Sequence, residues 1–95
     1  MPDSLQRIYT ALLEGHMVEF RFHDTDYLIQ QEQNKGWDYI SIWQLSEPVA
    51  CLSRTLFDIW DGISDESVTE LLNDACIEGH SVAELCSGLQ RLTIR

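Results

Sequence analysis

The chain is poor in positive charge. Only six of its 95 residues are Lys or Arg against sixteen Asp or Glu, a net charge of -10. That shortage argues against non-specific attraction to nucleic acid or an anionic membrane and favours a partner with a basic surface. The deficit is regional. Residues 1–54 hold eight acids and four bases, whereas 55–90 hold eight acids and no Lys or Arg.

Other absences narrow the reading further. The five glycines are isolated, so no glycine-rich loop is available to cradle a phosphate. Cys51, Cys76 and Cys86 are odd in number, form no CxxC pair and follow no secretory signal, which leads us to expect reduced thiols in the cytoplasm. No apolar run reaches the roughly 20 residues of a membrane helix, and a soluble protein is expected. His16, His23 and His80 form no HExxH-type spacing with each other or with the cysteines, so no metal, cofactor or catalytic residue is expected. Carboxylates are plentiful, but acid–base work needs two in a cleft with separated pKa values, not a solvated stripe.

What is present describes one folded domain, 1–95, with 44 % hydrophobic residues. A chain of this length buries about two thirds of its unfolded surface, enough for one core. Leu5, Ile8, Tyr9, Leu12 and Leu13 recur at helical spacing behind a cap at Asp3 or Ser4, and Gly15 ends that helix. From Met17 the period becomes two: Val18, Phe20 and Phe22 alternate with Glu19, Arg21 and His23. A two-residue turn at Asp24 and Thr25 would set Phe22 opposite Tyr27 and Phe20 opposite Ile29, although β-branched Thr suits such a turn poorly.

Asn34, Lys35 and Gly36 reverse the chain into a third strand, Trp37 to Leu45. It is apolar on both sides, with Trp37, Tyr39 and Trp43 on one and Ile40 and Ile42 on the other. Only one set can join the face of Phe20. The other is either covered by helices or a second subunit, or is an exposed aromatic patch that binds a partner. Beyond Pro48, Val49, Leu52, Leu56, Ile59 and Trp60 suggest a helix over 49–61, with a fourth strand over Cys51 to Phe57 as the alternative.

The most distinctive stretch is Ser64 to Gly79, SDESVTELLNDACIEG, expected as an acidic amphipathic helix capped by Ser64. Helical spacing would gather Glu66, Glu70, Asp74 and Glu78 into one stripe opposite Val68, Leu71, Leu72, Ala75 and Cys76. Gly79 then stops the helix, and Ser81 with Glu84 forms a capping box for a last helix running towards Leu92. ALLEGH (11–16) and ACIEGH (75–80) read as one helix-ending device used twice.

The expected fold is therefore α+β in the order α-β-β-β-α-α-α. It has an N-terminal helix, a three-stranded antiparallel meander and two to three C-terminal helices packed on the sheet. The helix end LLEGHMVEF, the meander with DYLIQQ and GWDYI, and the closing IEGHSVAEL resemble small bacterial helix-plus-meander proteins. Some of these are similar to immunity or accessory proteins of toxin systems. The resemblance implies action by binding and carries over no catalytic or binding residue. The expected function is a non-enzymatic acidic interaction protein. Its partner-binding residues would be Glu66, Glu70, Asp74 and Glu78, with Trp37, Tyr39 and Trp43 as the aromatic face. The alternatives are a homodimer through that aromatic face, or a small metal or thiol enzyme using His16 or His80 with a cysteine.

Overall fold

The computed structural model describes residues 4–34, 36–57 and 62–95. Helix α1 (Ser4–Leu13) leads into strands β1 (Val18–Phe22), β2 (Thr25–Asn34), β3 (Trp37–Gln44) and β4 (Ala50–Phe57). Helix α2 (Asp65–Leu72), the single turn α3 (Val82–Leu85), a 3-10 turn (Cys86–Gly88) and strand β5 (Gln90–Ile94) complete it. The fold is α+β, but the sheet has five antiparallel strands in the order β4-β3-β2-β1-β5. The expected three-stranded meander is thus corrected at both edges.

Both corrections have one cause. Ile40, Ser41 and Ile42 of β3 and Val18 of β1 are fully buried, so their strands' backbone groups need partners on each side. A helix over 49–61 could not supply them to β3. Ala50–Phe57 does so as a strand, the alternative reading of that segment, with Leu52 as the extra residue of a bulge opposite Ile42 and Trp43. Residues 58–61, the remainder of the expected helix, lie outside the described residues. At the other edge, Ile94, Thr93 and Gln90 pair with Val18, Glu19 and Arg21 of β1, with a register break at Arg91 and Leu92, so the last expected helix stops after one turn.

The β1–β2 turn also differs by one residue. His23 and Asp24 take positive φ (49° and 61°), and Thr25 begins β2. His and Asp tolerate the left-handed region, whereas β-branched Thr does not. The register becomes Phe22 opposite Thr25, Phe20 opposite Tyr27 and Val18 opposite Ile29, a shift of two residues from the expected pairing. An even shift keeps every side chain on its face. The same apolar set therefore still reaches the core.

One face of the sheet carries Val18, Phe20, Tyr27, Ile29, Ile40 and Ile42, all buried together with Ile8, Ala11 and Leu12 of α1 and Val68, Leu71 and Leu72 of α2. Each large aliphatic buried here contributes about 1.5–3 kcal/mol relative to exposure. Helix α1 contacts β1 and α2, while α2 lies over β3 and β4. The C-terminus of α1 closes with Gly15 (φ 85°), the His16 amide donating to the Ala11 carbonyl at 2.9 Å and the Gly15 amide to Leu12 at 3.1 Å.

Helix α2 is half its expected length. Ser64 caps it as read, its Oγ accepting from the Ser67 amide at 3.3 Å. At the other end the backbone amide and Nδ2 of Asn73 both donate to the Thr69 carbonyl, at 3.1 and 2.8 Å, and the Asp74 amide turns to the Leu71 carbonyl, where the helix stops. Gly79 closes no helix. With Glu78 (φ 51°) it forms a two-residue turn, the amides of Ile77 and His80 donating to each other's carbonyls at 2.9 and 2.8 Å. ALLEGH and ACIEGH therefore end different structures, a helix and a tight hairpin. The Ser81–Glu84 capping box is present on both arms.

Candidate functional site

The sequence-predicted residues separate into two regions on opposite sides of the sheet. Trp37, Tyr39 and Trp43 project from the face opposite the helices. There the register aligns Glu32, Tyr39 and Leu56 in one row, Gln30, Ser41 and Arg54 in the next, and Leu28, Trp43 and Cys51 in a third. Among the described residues no helix packs on this face, yet Ser41 is fully buried and Tyr39 is 7 % exposed. Neighbouring side chains supply the cover. The Arg54 guanidinium lies 4.6 Å from the centroid of the Tyr39 ring, and Glu32 accepts from Ser41 Oγ and from Trp43 Nε1, the latter at 2.7 Å.

Burial alone would raise the Glu32 carboxyl. The hydrogen bonds from Ser41 and Trp43 and the charge of Arg54 outweigh it and hold the group below the ordinary carboxylate range. Two of the three predicted aromatics are thus engaged inside the sheet's own surface. Trp37, at 64 % exposed, and Leu56, at 56 %, remain as the open apolar groups of this face. Glu32, Arg54 and Ser41 were missed in the sequence. Ser41 was readable from its place between Tyr39 and Trp43 at period two, whereas Glu32 and Arg54 required the strand register.

The acidic stripe is broken by the early end of α2. Glu66 and Glu70 stand exposed on the helix, Asp74 follows it in a bend, and Glu78 sits in the tight turn. Asp74 accepts from Ser53 Oγ of β4, and Glu78 Oε2 lies 2.8 Å from His23 Nδ1. The Asp65 carboxylate accepts from the Tyr9 hydroxyl, a contact that raises the phenol pKa. Glu84 is held below the ordinary range by the Ser81 amide and by His80. Among the described residues, Glu66 and Glu70 are the α2 carboxylates with no hydrogen-bond or ionic partner.

Their direction follows from helical geometry. Tyr9 meets Asp65, and Leu5 and Tyr9 line a shallow groove with Thr69, Leu72 and Asn73, so this side of α2 faces α1. At 100° per residue Glu70 falls about 100–140° round the helix from Thr69 and Asp65, between the solvent side and the flank turned away from α1, and Asp74, beyond the helix end, reaches Ser53 of β4. Glu66 lies beside it on the solvent side.

The histidines and cysteines do not converge. His16 lies 3.2 Å from the Arg95 carbonyl and His80 Nδ1 3.5 Å from Glu84, and no histidine is hydrogen-bonded to a cysteine among the described residues. Burial first, and then the neighbouring Asp74 charge, push the Cys76 thiol up to about 11, which keeps it protonated at neutral pH. No group of three or more His, Cys, Asp or Glu side chains with the geometry to hold a metal is formed among the described residues. No helix among them is long and apolar enough to cross a membrane. No family model, curated protein or solved structure matches this chain.

Proposed function

We propose that this is a non-enzymatic binding protein, of inhibitor or immunity type, whose acidic side docks on a basic surface of another protein. The carrying observation is the free pair Glu66 and Glu70 beside Asp74, within a segment, 55–90, that has no Lys or Arg to neutralise them. Electrostatic complementarity of this kind acts chiefly on the rate of encounter and on the choice of partner.

The test is kinetic. A partner captured from a lysate is purified, and its association rate is measured at low and moderate salt with wild type and with Glu70→Lys/Asp74→Lys. The expected result is a fall in on-rate of about tenfold or more at low salt, shrinking as salt screens the charges. An on-rate that is unchanged in a folded variant would overturn the proposal.

A further inference from the structure

The two edges of the sheet are not alike. Strand β5 has five residues, a register break opposite β1 and Arg91 at φ 52°, features that blunt an edge against added strands. Strand β4 has eight residues and one charged side chain, Arg54, which is turned onto Tyr39. Its one bulge lies near its start, leaving Ser53 to Phe57 in regular pairing with β3. Among the described residues no other segment pairs with the outer edge of β4. An edge of this kind is a template for a further strand.

The charges around the edge select the occupant. On the helix-covered side Asp74 reaches Ser53, and Glu70 stands exposed on the side of α2 turned away from α1; on the other side Leu56 is 56 % exposed. A second copy joined edge to edge about a two-fold axis would bring two such acidic flanks together, with no Lys or Arg from 55–90 to separate them. A foreign strand with Lys or Arg at alternate positions would meet those carboxylates on one side and offer apolar side chains to Leu56 on the other.

We infer that the outer edge of β4 accepts an extended segment of a partner protein as an added strand, its alternate basic side chains lying beneath Glu70 and Asp74. This rests on the basic-partner reading and specifies its mode. Affinity then comes from main-chain hydrogen bonds and selectivity from the two rows of side chains.

The test uses the full chain and an end-capped seven-residue peptide alternating Lys and Val, with two N-methylated forms. One is methylated on every Lys amide and the other on every Val amide. In an added strand only one of these sets points at β4, so one form loses roughly tenfold or more in affinity and the other stays close to the parent. Equal affinity of the two forms overturns strand addition. If binding remains salt-dependent and is weakened by Glu70→Lys/Asp74→Lys, the basic-partner reading survives that result. A parent peptide that does not bind at low salt overturns strand addition, and the association rates of the captured partner then decide the basic-partner reading separately. A homodimer in sedimentation that is broken by Leu56→Lys would assign the edge to a second copy and overturn the inference.

Discussion

The two lateral halves of the molecule are built alike and charged differently. On one side α1 packs against β1, which pairs with β5, and this half carries Arg7, Arg21, Arg91 and Arg95, with Arg21 paired to Asp26 at 3.1 Å and Arg95 to Glu19 at 3.3 Å. On the other, α2 lies over β3 and β4, where Glu66 and Glu70 have no partner among the described residues and the only Arg, Arg54, is committed to Tyr39. Two of the four arginines on the first half are paired with carboxylates and its edge is bulged. Charges on the second are unbalanced beside a long regular edge. Under the proposed function, this separation is what would orient one side toward a basic partner.

The comparison can be broken first through packing. Leu71 is fully buried and holds α2 on the sheet. Leu71→Ala is expected to cost about 2–5 kcal/mol in denaturant unfolding, more than the same change at half-buried Leu92 on the opposite side. Equal losses would mean that α2 is not the firmer anchor.

A smaller effect is expected on the open face. Ser41→Ala removes one donor to Glu32 and an acceptor for Trp43, at a cost of about 1–2 kcal/mol. The Glu32 carboxyl has a lowered pKa in the folded state, so its contribution is complete above the unfolded value of about 4.3 and is lost as pH falls through the folded one. Stability of wild type should therefore decline below about pH 4 more steeply than that of Glu32→Gln. Parallel acid profiles would remove Glu32 from the account. Ser81→Ala, which deletes one arm of the capping box, should cost about 1 kcal/mol. Smallest of all, Glu70→Gln should change stability by less than about 0.5 kcal/mol, since an exposed, unpaired carboxylate holds nothing in place. A larger loss would make Glu70 structural.

How far the fold was legible follows from the range of the interactions involved. Features set within a few residues were readable: the α1 stripe, the Ser64 cap, the Ser81–Glu84 box and the alternation of Val18, Phe20 and Phe22. Features set by distant partners were not. Whether 50–57 is helix or strand is decided by the open edge of β3, and the strand at 90–94 by the open edge of β1. Periodicity was ambiguous in the first, where Leu52 and Leu56 fit a helix while Cys51, Thr55 and Phe57 suit a strand. The acidic stripe was misjudged because identical spacing was extended through Asn73, the C-cap at which the helix ends. Its first two members survive as free carboxylates, and the other two have become contacts to Ser53 and His23.

The central claim is that the α2 flank, and not the overall charge, receives the basic strand. Affinity for the alternating Lys/Val peptide should be measured at low salt for wild type, Glu70→Lys/Asp74→Lys and Arg91→Glu/Arg95→Glu. Charge reversal on the α2 flank is expected to weaken binding by about tenfold or more, while reversal at the β5 side leaves it within about twofold. Equal and opposite shifts from the two variants would show that the peptide responds to net charge alone and would contradict the account.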